Sequence, residues 1–324
     1  LYRSRDHRKG RHALGIAVNH NHQESTQRAS KILHNLKRML TTYPYWDLSY
    51  LVAVVFTLGS AIWIINAFFV WLPLQDPSTS FSGEEVVGGG WTAWVGAAVF
   101  EAGSVGLILE ALGAVAGSAS GGSAETPEKE SQGRTGEATL ILRPSPQSCT
   151  CHHSNRKSIL PSSLIRIPTH PDQNQNQNRI KFLVVDDYIH DLGFLASLTQ
   201  LVGATIFWIA GFTGLPGIIN HMSTGLTNGV YWVPQVVGGV CFVVSGGLFT
   251  LETQERWFRP AWGTLGWHVG VWNLVGGVGF TLCGVFGLAG MQYQACLATF
   301  WGSWAFLWAS GLQWYESLEK WPVE

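Results

Sequence analysis

The chain has 324 residues, of which 46% are hydrophobic and 13% charged, with 38 Gly, 16 Trp and a formal net charge of −1. A soluble domain carries about 25% charge, so an ordinary water-facing globule is excluded, and the near-zero net charge argues against a nucleic-acid partner. Low charge with abundant Gly and Trp is the composition of a multi-pass membrane protein, because lipid-facing helices exclude ionised groups and Trp gathers at the interfaces.

Residues 1–45 are basic, with nine Lys and Arg against Asp6 and Glu24. Within them, RASKILHNLKRML places Ile32, Leu33, Leu36, Met39 and Leu40 on one helical face, with Lys31, Lys37 and Arg38 elsewhere. That pattern predicts a helix lying on an anionic membrane surface. A basic leader that only fixes orientation is the other reading. The first apolar run comes late, is too long and lacks a small-residue cleavage site, so no cleavable signal peptide is expected.

Six segments offer the roughly 20 apolar residues needed to cross a bilayer: 48–74, 91–113, 192–213, 230–251, 267–288 and 294–315. They are continuously apolar and do not alternate, which argues against a membrane-spanning sheet. The expected fold is therefore all-α, a polytopic transmembrane bundle of six helices. It divides into a basic segment (1–45), a first hairpin (46–117), a polar cytoplasmic loop (118–190), a second hairpin (191–258) and a third with a short tail (259–324).

The positive charges give the orientation. Every Lys and Arg falls before span one, between spans two and three, between spans four and five, or after span six. The loops 75–90, 214–229 and 289–293 hold none, and the first of them carries Asp76, Glu84 and Glu85. Positive charge stays on the cytoplasmic side during insertion, so both termini are expected there.

The 118–190 loop differs from both flanks. GSASGGSAETPEKE is linker-like and HPDQNQNQN is a low-complexity polar tract, so disorder is expected; a retained intron would give the same contrast. Cys149, Cys151, His152 and His153 are metal-capable but match no paired structural zinc spacing, and Cys149 and Cys151 lie on the reducing side, where a disulfide is not expected. FLVVDD (182–187) resembles an acidic receiver strand, but a span follows too soon for that fold. Neither metal nor cofactor is implied.

The spans share a pattern. LVGGVGFTLCG (274–284) aligns with LVGATIFWIAG (201–211), VVGGVCFVVSG (236–246), WVGAAVFEAGS (94–104), FWGSWAFLWAS (300–310) and YLVAVVFTLGS (50–60). Gly at 96, 203, 238, 276 and 302 is followed four residues on by Phe100, Phe207, Phe242, Phe280 and Phe306; span one keeps Phe56 but has Val52 for Gly. Gln200, Gln235, Asn273 and Thr299 stand three before the Gly. Positions i, i+4 and i+7 share a helical face, and small residues let helix backbones approach closely in lipid, where apolar burial gives little drive. Gly96, Gly203, Gly238, Gly276 and Gly302 with the six Phe are thus expected to be packing positions. A glycine-lined path is the alternative.

Spans three and five match at an offset of 73, and the ends of spans four and six at an offset of 64, giving one helical hairpin used three times. On these glycine-plus-phenylalanine cores the hairpins resemble the small two-helix YrhK-like domains, and the whole resembles uncharacterised fungal multi-pass membrane proteins. Neither resemblance implies an activity or catalytic residues.

Glu101 stands near mid-membrane, where a carboxylate must be protonated, paired or turned to a cavity. Hydrogen bonds to Gln200, Gln235 or Asn273 are one expectation, and a proton- or cation-linked path is the other. Glu110, Glu252 and Glu316 fall near cytoplasmic helix ends. Pairing of Glu252 with Arg256 and Glu316 with Lys320 at i, i+4 is expected, or else an acidic ring that His268 and Glu255 could join. Pro216 and Pro234 sit at helix ends. No phosphate loop, HExxH, GxSxG or dinucleotide fingerprint occurs, so no enzyme is expected. The sequence points to a structural or assembly role, with lipid and a second copy or another membrane protein as partners, and to a small transporter or channel as the alternative.

Overall fold

The computed structural model describes residues 29–120, 191–254 and 256–318. The 1–28 segment, residues 121–190 with the Cys149–His153 and 182–187 motifs, Glu255 and Lys320 lie outside the described residues. Among the described residues there are helices and turns and no strand.

A short helix, α1 (Ala29–Thr41), precedes six long ones: α2 (Leu48–Gln75), α3 (Gly90–Ser120), α4 (Leu192–Thr213), α5 (Val233–Glu252), α6 (Leu265–Leu288) and α7 (Gln292–Leu318). Their starts follow local chemistry. Asp47 accepts from the Ser49 amide at 3.0 Å and Asp191 from the Gly193 amide at 2.9 Å, capping α2 and α4. Pro234 stands at the second residue of α5, directly after the π-helical turn Asn228–Trp232 through which the chain enters the helix. The three-residue link from α6 to α7 turns through Gly290 at φ +72°, a left-handed backbone that favours glycine.

Five of these segments are long and apolar enough to cross a membrane: Leu48–Gln75, Glu84–Leu112, Leu192–Thr213, Thr224–Glu252 and Leu265–Leu288. The chain is thus a multi-pass membrane protein by length and composition. Helix α7 is as long but carries Gln292, Gln294, Gln313 and Glu316 among its tryptophans, which lowers its mean hydropathy.

Each long helix packs on its chain neighbours, and α7 closes on α2, so the six form a ring. The apolar pattern is turned outward. Leu58, Ile65, Val202, Ile209, Val240, Val244, Trp304 and Trp308 are exposed, whereas Ser60, Ser104, Ser197, Ser245 and Ser303 are fully buried. Most of these serines bond back to their own helix, while the Ser245 hydroxyl reaches across to the Ala196 carbonyl at 2.8 Å. In lipid that is the stable arrangement: oily surface outside, small side chains between helices.

The closest approach is between α5 and α6. A Cβ on Gly277 would stand 2.7 Å from the Val243 nitrogen, and one on Gly270 would stand 2.6 Å from that of Thr250. Helix α1 lies at the basic end of the ring. Its Asn35 is buried and donates to the Tyr315 hydroxyl at 3.1 Å, and Arg38 donates to the Leu318 carbonyl. Ile32, Leu33, Leu36 and Leu40 on the same helix are exposed.

Candidate functional site

Halfway along the ring axis, Phe56, Phe100, Phe207, Phe242, Phe280 and Phe306 meet in one buried cluster, one ring from each long helix. Centroid separations run from 5.3 Å (Phe280–Phe306) to 6.5 Å (Phe100–Phe242), mostly edge-on or tilted. Such pairs contribute about 0.5–1.5 kcal/mol each beyond burial. Trp63 of α2 joins them, 4.9 Å from Phe280 and 5.9 Å from Phe207.

Glycines make room for the rings. A Cβ on Gly203 would lie 3.2 Å from Phe242, and one on Gly238 would lie 2.9 Å from Phe207. Between α6 and α7 the exchange repeats: Gly276 faces Phe306 at 2.7 Å and Gly302 faces Phe280 at 3.2 Å. Between α2 and α3 the receiving glycines are different ones. Phe100 lies on Gly59, Phe56 on Gly103, and Gly96 receives Trp63. Val52 fills the place of the missing glycine, so this pair meets with glycines three residues after each Phe rather than four before.

The aromatic layer separates two cavities. Below it, toward the basic end, is a pocket of about 40 Å³ lined by Gln200, Asn273, Ser310 and Gln313 with apolar neighbours. Above it is a vestibule of about 400 Å³ whose floor is Trp63, Phe207 and Phe280. Asn66, Gln235, Thr299, Cys283 and Cys296 line its walls. The space within the layer itself holds no volume.

Chain direction sorts the polar residues. Helices α4 and α6 run from the basic end outward, so the residue three before the glycine lands below the layer, and Gln200 and Asn273 line the small pocket. Helices α5 and α7 run the other way, so Gln235 and Thr299 land in the vestibule. The amides do not form one site, and none meets Glu101. The Glu101 carboxylate flanks the layer at the α3–α4 seam, where its Oε1 accepts from the Thr205 hydroxyl at 3.0 Å. Its Oε2 is buried with no hydrogen-bond partner among the described residues. Glu101 lines neither cavity.

The acids toward the basic end also part company. Glu110 is buried and accepts from the Ser49 hydroxyl at 2.8 Å, and Glu316 is buried in the ring; neither, nor Glu252, lines the lower pocket. Helix α5 stops at Glu252 and the Thr253 amide folds back to the Thr250 carbonyl, so Arg256 does not follow one helical turn on. The i, i+4 geometry therefore does not arise there. His268 bonds to the Trp262 carbonyl instead of joining a ring of acids.

Two π-helical turns shape the vestibule mouth. Glu84–Gly89 leads into α3 and supplies Glu85, Val86 and Gly89; Asn228–Trp232 leads into α5 and supplies Tyr231 and Trp232. Such turns recur at functional sites because the extra residue per turn re-aims side chains. Tyr231 packs against Gly214 and Trp232 against Gly287. At the rim Gln292 donates to the Glu85 carboxylate. Nearby, on the loop outside the spans, Asp76 accepts from the Ser78 amide at 3.0 Å and hydroxyl at 2.7 Å, which holds its carboxyl below the usual carboxylate range.

Sequence reasoning passes over Trp63, Asn66, Tyr231 and Trp232, and it takes Cys283 and Cys296 for ordinary packing within the helices. Trp63 had a signal, standing seven residues after Phe56 and so on the same face. The π turns had none. No protein-family model, no curated protein and no solved structure matches this chain.

Proposed function

We propose that this protein binds a small solute in an outward-facing vestibule and acts as a membrane carrier held shut by the phenylalanine layer. In this reading α7 is a sixth span, the three hairpins are repeats of one unit, and the basic ends with both termini face the cytoplasm. The observation that carries it is the pair of unequal cavities on one axis, about 400 Å³ above the layer and about 40 Å³ below. Binding between repeats near mid-membrane, with the site open to one side at a time, is a recurring carrier design. The path runs along the axis, not past Glu101. In this reading the role is that of a carrier and not of an enzyme.

A structural or assembly role is the second reading. It is favoured by the aromatic layer, which leaves no volume along the axis among the described residues. Uptake into liposomes separates the two. A carrier moves at least one small labelled solute, and a bulky thiol adduct on Cys283 stops it. No uptake across a panel of amines and neutral solutes, with the folded protein present, supports assembly instead.

A further inference from the structure

The vestibule walls select by charge. Among the described residues none of its lining is Lys, Arg or His. The facing loops carry Asp76, the buried Glu84, the exposed Glu85 and His221, whereas the described Lys37, Arg38, Arg256 and Arg259 lie toward the opposite end. An anion entering here would meet the Glu85 carboxylate at the rim and no Lys or Arg among the lining residues, while a cation would be drawn in. Inside, Trp63 and Trp232 present indole rings, Tyr231 a phenol, and Phe207 and Phe280 the floor. The negative faces of such rings hold desolvated ammonium groups, most strongly on Trp. Gln235 and Asn66 add neutral amides that can orient a hydroxyl or carbonyl without imposing charge. The volume suits a molecule of modest size.

Resting on the carrier reading above, we propose that the vestibule takes a small organic cation, an amine or quaternary ammonium compound, with the ammonium group against Trp63 and Trp232 and Glu85 as the rim counter-charge. Binding would displace Gln292 from Glu85, so loading the site loosens the link between the α3 and α7 ends of the mouth.

The test uses the full chain in lipid nanodiscs with Cys149, Cys151, Cys241 and Cys296 replaced by Ser. Labelling of Cys283 by a small neutral maleimide is timed in the presence of choline or of 3,3-dimethylbutan-1-ol, which has the same shape without charge. Choline should protect Cys283 at about tenfold lower concentration than the alcohol. Glu85→Gln should weaken choline protection about three- to tenfold and leave the alcohol unaffected, and added salt should act in the same direction. Because Glu85 is exposed, that variant is expected to fold. Equal protection by both compounds, or none by choline while Cys283 reacts normally, overturns the cation assignment and leaves the vestibule standing. A Cys283 that never reacts overturns the vestibule and the proposal together.

Discussion

The two halves of the ring are built from the same ingredients and end differently. The α5–α6 seam is backbone to backbone on both sides of the layer, at Gly270 and Gly277 toward the basic end and at Gly284 beyond it, yet toward the basic end the axis narrows to about 40 Å³. Toward the acidic loops, Gly214 and Gly287 receive Tyr231 and Trp232, which line the cavity of about 400 Å³. Glycine in a membrane helix therefore does not dictate closure. What differs is where the rings stand: the six Phe fill the axis, whereas Tyr231 and Trp232 line its wall.

The largest way to break this contrast is through the layer between the halves. Phe280→Ala removes a ring that touches Phe207, Phe306 and Trp63. We expect a loss of about 3–5 kcal/mol, read by unfolding in denaturing detergent, together with passage of water-sized probes into the lower pocket. Phe280→Leu should lose less and keep the layer closed.

The closed half is tested at its seam. Gly277→Ala puts a methyl against the Val243 backbone and should cost about 1–3 kcal/mol. Gly311→Ala, where nothing lies within 4 Å of the new Cβ, should be neutral or stabilising by up to about 1 kcal/mol. Equal losses at both positions would contradict the packing account.

Glu101→Gln sharpens the comparison by what it leaves alone. The amide can still accept from Thr205, so stability should change by less than about 1 kcal/mol. Solute binding in the vestibule should be unchanged. A pH-dependent uptake abolished by this change would return the path to Glu101.

The smallest effect belongs to the outer loop. Hydrogen bonds from Ser78 lower the Asp76 pKa, so their local contribution is complete above the ordinary carboxylate value of about 3.9. It is lost as pH falls through the lower folded value. Amide-exchange protection around residues 76–80, taken relative to the intrinsic rate at each pH, should fall on acidification in the parent protein, and Asp76→Asn should remove that dependence.

Much of the architecture was legible because a long apolar run is an unambiguous signal. The 192–213 segment is α4 to the residue, and 48–74 differs from α2 by one. The six Phe were legible as one face per helix, and they do converge. The site was not. Residues at equal offsets from a glycine look equivalent in sequence, but antiparallel packing sends Gln200 and Asn273 to one cavity and Gln235 and Thr299 to the other. Likewise Gly96 fits the shared pattern, yet it receives Trp63 rather than a Phe, because Val52 shifts the contact between α2 and α3 onto Gly59 and Gly103.

The central claim is that the aromatic layer divides an outward-open vestibule from a sealed pocket. The direct measurement is labelling by one membrane-impermeant thiol reagent, applied at the acidic-loop face, of two single-cysteine proteins. One keeps Cys283 and the other carries Gln200→Cys with Cys283 replaced by Ser. Cys283 should react and position 200 should not. Reaction of both would contradict a closed layer, and reaction of position 200 alone would contradict the orientation of the cavities.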